Sequence, residues 1–473
     1  MNTESVYKHA IVIGGSMAGM TAARMLADHF AQVTVVERDV APDPENFRKG
    51  APQTRHPHAL LGEGQRLLEK MFPGVVQDLH DRGAIRANIG NEFGFYINNS
   101  WCQPYESPIV TTVCSRPLLD STIYRRLTAL PNVRVLHNQE MLGLCLDGKK
   151  ERVIGVRLRE RGAAGAAEHE LSASLVVDAS GRDSRAPQWL EDWGYTPPAE
   201  TTVNAFVGYT SRIYATPANY TNKWKALYIM AMAPHTPRGA IVLPMEGNRW
   251  HVCLVGVGGD YPPTDEAGFD AFIQSLPSPE IAEALRDAQP LTAPYGYRRA
   301  ENRMRYYEKL PRYLDGLVVT GDAVYAFNPI YGQGMSTAAI ASQTLDACLK
   351  EQRRRHGEQT LDGLARRFQK ELAGVTAGPW AMATGQDIRW PTTEGGAQPD
   401  PVTRLVQKYL DKVLAVAPHN TAVAEAFFQV QNMLKGPESL FHPRVLWQVL
   451  KPQHSQTPFQ PTPQHGMGKA VTA

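Results

Sequence analysis

The hydrophobic pattern at the start of the chain predicts a strand, a tight turn, a helix and a second strand. Apolar residues run through the segment KHAIVIGG at 8–15, as expected for a strand covered on both faces. The segment SMAGMTAARMLADHF at 16–30 has helical spacing, and QVTVVER at 32–38 is again strand-like. A unit of about 30 residues in this order is typical of the opening of a parallel, doubly wound sheet.

Short apolar runs predict further strands of this first sheet. They lie at 133–136, 153–158, 175–178 and 317–320. Between about 201 and 258 the pattern changes to strands without intervening helices, which predicts an antiparallel sheet in a second, inserted domain. Beyond 355 the pattern is helical, and a tail rich in proline and polar residues is expected to be disordered.

These patterns divide the chain into three parts and a tail, and a length of 473 residues agrees with more than one core. The predicted boundaries give a first domain of 1–90, 116–195 and 301–350, an inserted domain of 91–115 and 196–300, a helical C-terminal region of 351–451 and a disordered tail of 452–473.

Composition removes several classes of protein from consideration. With 49 basic and 47 acidic residues the net charge is only +2, which argues against a nucleic-acid partner, and the run Arg353–Arg355 is interpreted as a solvated helix end. Five cysteines without metal or disulfide spacing predict no metal site and a reducing, cytoplasmic location. No stretch is long and apolar enough to predict a transmembrane segment.

The glycines after the first strand predict a nucleotide site. Gly14 is placed at the tight turn and Gly19 where the helix packs on the strand, while Ser16 stands where a second glycine is usual. Gly15 still allows a pyrophosphate to approach the backbone, and Glu37 closes the second strand, where a carboxylate would accept the ribose hydroxyls. This motif alone does not separate NAD from FAD.

A second glycine-rich turn, GDAVYAFNPIYGQGMSTA at 321–338, favours FAD. Asp322 is the only charged residue between 317 and 345, and it is placed to accept a hydrogen bond from a ribitol hydroxyl. A flavin dinucleotide is long enough to reach from the first turn to this one. The amides of 332–335 would then face the pyrimidine end of the flavin, where oriented N–H groups stabilise the negative charge of the reduced ring.

Together these blocks resemble the single-component FAD-dependent monooxygenases of the para-hydroxybenzoate hydroxylase-like group, and most nearly the bacterial polyether and squalene-type epoxidase branch. The resemblance covers about 10–349. It implies an α/β fold with a Rossmann-like, doubly wound FAD-binding domain, an inserted antiparallel-sheet substrate domain and a helical C-terminal region. The cofactor-binding residues that it implies are Gly14, Gly15, Ser16, Ala18, Gly19, Glu37, Arg38, Arg48, Gln53, Arg116, Asp178, Gly181, Gly321, Asp322, Pro329, Gly332, Gly334 and Met335.

The resemblance also suggests roles for the arginines. Arg48, in FRKGAPQ, matches an arginine that folds back onto the pyrophosphate, and Gln53 would lie nearer the ring. Arg116, at a predicted helix start, matches an arginine that touches the FAD phosphate region. A surface ion pair is the alternative for either arginine.

The middle block, LVVDASGRDSRAPQWL at 175–190, departs from the family pattern. Ser180 precedes Gly181, and the acid is displaced to Asp178. Because the usual form of this loop serves both FAD and the reduced nicotinamide, the electron donor stays open between NAD(P)H and a separate reductase partner.

Two further groups of side chains have competing interpretations. His56 and His58 are candidates for a metal pair, for a polar group near the flavin, or for ordinary loop hydrogen bonds, and no third ligand cluster accompanies them. The aromatic residues between 93 and 101, and the apolar ones between 228 and 252, are candidates for a substrate cavity or for simple core. They are Phe93, Phe95, Tyr96, Trp101, Tyr228, Met230, Met232, Trp250 and Val252.

The resemblance implies that one atom of O2 is inserted into an apolar small molecule through a flavin C4a-hydroperoxide, by alkene epoxidation or hydroxylation in secondary metabolism. Epoxidation needs no protein base, and no catalytic side chain is assigned. The alternatives are an isoprenoid reductase or cyclase, a flavin halogenase, and a flavin-bound binding or redox-sensing protein. Halogenation is disfavoured because the chain contains no Trp-x-Trp-x-Ile-Pro stretch.

Overall fold

The computed structural model describes residues 7–48, 50–162, 165–218, 220, 224–357 and 360–451. The chain forms two compact units. Unit 1 comprises Met1–Ala84, Cys114–Val207 and Tyr297–Ala397, and unit 2 comprises Ile85–Val113, Gly208–Gly296 and Gln398–Ala473. The predicted disordered tail, 452–473, lies outside the described residues.

The strands are numbered in chain order. The first eleven are β1 (Tyr7–Ile13), β2 (Phe30–Val36), β3 (Ile85–Asn88), β4 (Phe93–Ile97), β5 (Ser100–Trp101), β6 (Val110–Val113), β7 (Val133–Leu136), β8 (Gln139–Leu146), β9 (Val153–Glu160), β10 (Glu168–Ser172) and β11 (Leu175–Asp178). The others are β12 (Glu200–Asn204), β13 (Gly208–Ala215), β14 (Ala226–Ile229), β15 (Arg238–Met245), β16 (Arg249–Gly256), β17 (Tyr295–Tyr297), β18 (Asn302–Arg305), β19 (Leu317–Val319), β20 (Tyr325–Ala326) and β21 (Glu394–Gly395).

The helices are numbered in the same way. They are α1 (Met17–Leu26), α2 (Gly62–Met71), α3 (Val75–Asp81), α4 (Arg116–Thr128), α5 (Ala186–Asp192), α6 (Glu266–Gln274), α7 (Glu280–Leu285), α8 (Gly334–His356), α9 (Leu364–Asp387), α10 (Pro401–Val416), α11 (Thr421–Gln431) and α12 (Pro443–Leu450).

A parallel five-stranded sheet in the order β19-β11-β1-β2-β7 forms the centre of unit 1. The inner parts of its central strands are apolar because both faces are covered, and the side chains at 10–13 are almost fully buried. The register pairs Ile13 with Asp178 and Asp178 with Val319. The carboxyl ends of β1, β11 and β19 therefore meet at one edge, which is where ligands bind in doubly wound sheets.

Helices α1 and α8 pack against each other beside this sheet. The Ser342 hydroxyl of α8 donates to the Thr21 hydroxyl of α1 at 2.8 Å, and both side chains are buried. Helix α9 follows along α8, and the Gln369 amide donates to the carbonyl of Val319 at the end of β19. Unit 1 also contains the sheets β10-β9-β8 and β20-β18-β12-β21.

Unit 2 is built on a seven-stranded sheet in the order β17-β13-β16-β15-β14-β4-β5. Strands β13, β16, β15 and β14 pair antiparallel, as the sequence pattern predicts, and β14 pairs parallel with β4. Helices α6 and α7 cover the sheet with buried Phe269, Phe272 and Ile281, which pack in one cluster with Trp101 and Trp250. Unit 2 therefore has its own hydrophobic core.

The helical C-terminal region, expected as one body at 351–451, is divided between the units. Helices α8 and α9 belong to unit 1, whereas α10 to α12 belong to unit 2. In unit 2 the ring of Phe428 on α11 lies 4.4 Å from that of Phe95 on β4. The division follows from the contacts, because α9 packs on β19 of unit 1, whereas α10 to α12 pack on one another and meet β4 of unit 2 through Phe428. The inserted segments also differ from the expected boundaries, since they begin at 85 and 208.

The described residues contain neither a helix suited to cross a membrane nor a cluster of metal-binding side chains. In the described ranges no helix combines the length and the hydropathy that crossing a bilayer requires. Within the same ranges no three His, Cys, Asp or Glu side chains are grouped so as to hold a metal ion. All five cysteines have free thiols.

Candidate cofactor site

The first turn of the site is shaped by two glycines that leave no room for a side chain. Gly14 follows β1 with φ of +99°, and a Cβ atom there would lie 2.6 Å from the carbonyl oxygen of Ala179. A Cβ on Gly19 would lie 1.7 Å from the carbonyl oxygen of Gly14. Because these obstacles are backbone atoms, only glycine fits, and the backbone of the turn stays open to a ligand.

Glu37 lies directly against this turn. Its Oε2 accepts a hydrogen bond from the Gly15 amide at 2.5 Å, and its Oε1 accepts one from the Asp39 amide at 2.9 Å. Ser16 is the N-cap residue of α1, but its side chain makes no capping hydrogen bond. The first amides of α1 are therefore not satisfied by a cap, as at helix starts that bind phosphate.

Arg48 and Arg116 converge on the turn and share one carboxylate, that of Asp120. Arg48 donates to the Gly15 carbonyl at 3.1 Å and pairs with Asp120 at 3.3 Å. Arg116 pairs with Asp120 at 3.1 Å and donates to the Ser16 hydroxyl at 3.4 Å. The arginines are only 8% and 5% exposed, which excludes the surface ion pair as an interpretation. Asp120 was not among the predicted residues, although it lies four positions after Arg116 on the same helix face.

A small cavity adjoins this cluster. It lies beside Glu37 and beneath the end of β2, and a hydrogen bond of 2.9 Å joins the Tyr124 hydroxyl to Nε2 of His137 on its wall. Its lining residues are Gly15, Met20, Val35, Glu37, Pro42, Arg48, Tyr124, Leu127, Val135 and His137.

Arg38 and Gln53 are less closely tied to the turn than the other residues of this group. Arg38 is exposed and donates to the Gly50 carbonyl at 2.7 Å. Gln53 lies in a short 3-10 turn, and its carbonyl accepts from the His56 amide at 3.1 Å. In the described part of the chain, neither side chain hydrogen-bonds to the 14–19 turn.

Asp178 orders the turn that follows β11. Its Oδ1 accepts hydrogen bonds from the amide and the hydroxyl of Ser180 at 2.9 and 2.5 Å, and its Oδ2 accepts from the Ser184 hydroxyl at 2.5 Å. These bonds explain why the acid stands before the turn in this chain. Gly181 has φ of +83° and open space where a Cβ would lie.

The second predicted turn meets the first one directly. Gly321 follows β19 with φ of +61°, and a Cβ atom there would lie 2.6 Å from the Cβ of Ala18 on α1. The Thr320 amide donates to the Asp178 carbonyl at 2.9 Å. The two turns, about 300 residues apart in sequence, are thus in van der Waals contact. The first of them, at 14–19, is called the phosphate turn below.

Asp322 occupies the position expected for a ligand acceptor. Burial raises the pKa of its carboxyl group, and the positive charges of Arg182, Arg116 and Arg303 oppose that rise in pKa. Among the described residues no group donates a hydrogen bond to its side chain. The Asp322 side chain is still partly exposed, and a carboxylate that is accessible and has no such donor is suited to accept a hydrogen bond from a ligand hydroxyl.

The turn NPIYGQGM leads into the long helix α8. Pro329 opens a 3-10 turn that ends at Gly332, where φ is +67°. Gln333 makes no capping hydrogen bond, and open space lies where a Cβ of Gly334 would be. The Oε1 atom of Gln333 is buried and has no hydrogen-bond partner in the described structure, while Met335 is buried just behind it. An uncapped helix start beside an unpartnered buried amide fits a polar ring edge such as that of a flavin.

The two histidines are engaged in the loop. His56 is buried, and its ring lies 5.7 Å from that of Tyr297 in an edge-on arrangement. His58 Nδ1 is 2.8 Å from the His56 carbonyl oxygen. These contacts favour the interpretation of His56 and His58 as loop residues.

Most of the candidate cavity aromatics belong to the core of unit 2. Trp101 stacks on Trp224 at 5.2 Å, and Phe95 stacks on Phe93 at 5.7 Å. Trp250 and Val252 are buried in the same core cluster as Trp101. Tyr228, Met230 and Met232 are partly exposed.

The parallel sheet and the two glycine turns at its carboxyl edge are features of the α/β, doubly wound class of dinucleotide-binding folds. A family model described as FAD binding domain matches residues 7–367, and the chain belongs to this family. The predicted fold class and the predicted FAD cofactor are thereby confirmed.

Individual relatives agree with this assignment. The chain is 31% identical over 436 residues to Protein Rv3254 of Mycobacterium tuberculosis, with 90% of each chain covered. It is 25% identical over 372 residues to a kynurenine 3-monooxygenase of Salinispora arenicola, with 72% of each covered.

Solved structures show the same fold at low sequence identity. A flavoprotein/dehydrogenase from Cytophaga hutchinsonii matches with a TM-score of 0.64 and 16% identity over 93% of this chain and 96% of that one. The flavin-dependent brominase Bmp2 matches with a TM-score of 0.60 and 15% identity over 87% and 93%. The family match and the kynurenine 3-monooxygenase relative support an FAD-dependent, monooxygenase-like enzyme.

Proposed function

We propose that this protein is an FAD-dependent monooxygenase that inserts one oxygen atom from O2 into an apolar small molecule, by epoxidation of an alkene or by hydroxylation, in secondary metabolism. The observation that carries the proposal is the contact between Ala18 and Gly321 at the edge where β1, β11 and β19 end. This contact brings the glycine turn at 14–19 and the turn at 321, which leads on to α8, to one edge of the sheet, as a single FAD molecule bound across both would require.

Each part of FAD has candidate partners in this chain. Glu37 would accept the ribose hydroxyls of the adenosine, and Arg48 and Arg116 would neutralise the pyrophosphate beside the start of α1. Asp322 would accept from a ribitol hydroxyl, and the amides that begin α8 at Gly334 would face the pyrimidine edge. When bound, FAD supplies the activation of O2 and the transfer of one oxygen atom. The protein orients the ring and keeps water from it.

We propose an apolar substrate because unit 2 has apolar side chains that are not fully buried in its core. Tyr228, Met230 and Met232 are partly exposed, whereas the neighbouring Leu227 and Ile229 are buried. The exposed parts of these three side chains would line a pocket for an apolar ligand. Epoxidation of an alkene requires no protein base, in agreement with the lack of an assigned catalytic acid or base. Electrons would come from NAD(P)H or from a separate reductase.

The proposal is tested by product analysis under labelled dioxygen. The purified holoenzyme would be given a chemical reductant, a flavin reductase or NAD(P)H, together with a panel of polyene and aromatic substrates. The expected result is a product that carries one labelled oxygen atom. A reduced or cyclised product without label would identify an isoprenoid reductase or cyclase, and a halogenated product in the presence of halide would identify a halogenase. FAD binding without turnover of any substrate would favour a flavin-bound binding or redox-sensing protein.

A further inference from the structure

A buried carboxylate at the end of α9 gathers three side-chain donors. Asp387 is only 1% exposed. It accepts hydrogen bonds from Nδ2 of Asn302 at 2.6 Å, from the Tyr331 hydroxyl at 2.5 Å and from Nδ2 of Asn328 at 3.1 Å to each oxygen. Two of these donors, Asn328 and Tyr331, lie in the turn that leads to α8, so that α9 is bonded directly to that turn.

Asn328 is held through three of its polar groups. Its amide donates to Oδ1 of Asn302 at 2.7 Å, its Nδ2 donates to Asp387, and its Oδ1 accepts from the Ile330 amide at 3.2 Å. Asn302 lies on β18 and is fully buried. The entry to the turn is thus fixed to a strand on one side and to α9 on the other. A turn bonded in this way has little freedom to move its later residues, Gly332 to Gly334.

The network depends on the ionised form of the carboxyl group. Burial raises the pKa of Asp387 to about 6, while the bonds from Tyr331, Asn328 and Asn302 act in the opposite direction. Protonation places a hydrogen on an oxygen that now accepts, so at least one of the donors must turn away. Among the described residues Tyr331 is the only titratable side chain that hydrogen-bonds to this carboxylate.

We propose that Asp387 is a positioning residue for the flavin, because its carboxylate fixes the 328–331 turn and thereby the start of α8 at Gly334. The inference rests on the proposed function only in that FAD occupies this site. Asp387 need not touch the cofactor. FAD binds best to the form in which the carboxylate accepts all three donors, and binding is therefore linked to the ionisation of Asp387.

The test compares FAD binding by the wild type, Asp387→Asn and the control Asp346→Asn. Asp346 is also a carboxylate of unit 1, with His29 Nε2 at 2.8 Å and Lys350 Nζ at 2.7 Å, but it lies twelve residues beyond the start of α8. Affinity would be measured by quenching of flavin fluorescence between about pH 5 and pH 7.5. The visible circular dichroism of the bound flavin would report on the surroundings of the ring.

Three results are expected together. Asp387→Asn should bind FAD about tenfold more weakly at neutral pH, since it loses charge-assisted hydrogen bonds, and should alter the dichroism of the bound flavin. The wild type should lose affinity as the pH falls through about 6, whereas Asp387→Asn should lack this part of the pH dependence. Asp346→Asn should behave as the wild type does. If Asp387→Asn keeps the affinity, dichroism and pH dependence of the wild type, the inference is overturned.

A milder variant covers the case in which Asp387→Asn does not fold. Tyr331→Phe keeps the ring and removes one donor, and it should weaken FAD binding about threefold to tenfold and shift the dichroism. Unchanged binding and dichroism in Tyr331→Phe would overturn the inference in that case. Both measurements use FAD alone, so they stand whether or not an oxygenated product is found in the labelled-dioxygen experiment.

Discussion

At the scale of single residues, the phosphate turn has no room for a side chain at Gly14 or Gly19. A side chain on Gly19 would overlap the carbonyl oxygen of Gly14, which belongs to the backbone and cannot rotate away. The charged residues beside the turn also limit substitution, because the buried Arg48 and Arg116 both form ion pairs with Asp120. Substitutions at these positions are therefore expected to affect folding and FAD binding together, and each needs a control of the same chemical type.

Gly19→Ala is expected to lose most FAD binding and to lower the free energy of unfolding by about 1–3 kcal/mol, as overpacking does. Gly374→Ala, on α9, is the matched control, since nothing lies within 4 Å of its added Cβ. The control should gain up to about 1 kcal/mol because alanine favours helix. Urea unfolding and FAD titration measure both effects. Equal behaviour of the two variants would contradict the described packing of α1 on β1.

Asp120→Asn is expected to destabilise the apoprotein by about 3–5 kcal/mol, because it leaves two buried arginines with one carboxylate fewer. FAD should restore much of this loss, since its pyrophosphate supplies the missing negative charge. The increase in melting temperature on adding FAD should thus be larger in Asp120→Asn than in the wild type. Glu63→Gln, which breaks the largely exposed pair with Arg66, should change stability by at most about 1 kcal/mol. If FAD raises the melting temperature of Asp120→Asn and of the wild type by the same amount, the result argues against a pyrophosphate beside Arg48 and Arg116.

At the scale of elements, α8 and α9 are both joined to the turn at 328–333 that precedes α8. The start of α8 has an uncapped N-terminus, and α9 ends at Asp387, which holds the turn that precedes it. The titration of Asp387 therefore makes the stability of this part of the fold depend on pH in a way that can be separated from FAD binding.

The folded-state pKa of Asp387, about 6, lies above the ordinary aspartate pKa of 3.8. Its contribution to stability is consequently complete below about pH 4 and is lost as the pH rises through 6, with a size of about 3 kcal/mol. Urea unfolding of the apoprotein should show this loss in the wild type but not in Asp387→Asn. The contribution of Asp346 to stability has the opposite pH dependence. Burial alone would raise the pKa of Asp346, but the bonds from His29 and Lys350 lower it overall. A difference between wild type and Asp387→Asn that does not vary with pH would contradict the raised pKa.

Local elements were predictable from sequence because their signals are local. The alternation and spacing around β1, α1 and β2, and the glycines at 14 and 19, specify the turn without reference to the rest of the chain. Asp120 and Asp387 were not predicted, since a lone acid on a helix gives no sign of which buried donors surround it. The division of the C-terminal helices between two units depends on contacts with residues far away in the sequence, and periodicity does not contain that information.

At the scale of the whole molecule, the candidate site is formed by segments that are far apart in the sequence but close together in space. The phosphate turn, the Arg116 helix and the Asp322 turn come from three separated stretches of unit 1, and the parallel sheet brings their ends to one edge. Sequence spacing predicted which stretches belong together, because a single long cofactor was the simplest reason for both glycine turns. Only the register of β1, β11 and β19 shows that they meet.

The most direct measurement of this central claim is the titration of apoprotein with FAD for the wild type, Arg116→Ala and Asp322→Ala. The wild type should bind one FAD per chain, and each variant should bind it at least about tenfold more weakly, since each loses a charged partner of the same cofactor. A folded wild type that takes up no FAD would contradict the account. So would an Asp322→Ala variant with undiminished affinity, because the two distant turns would then not hold one molecule.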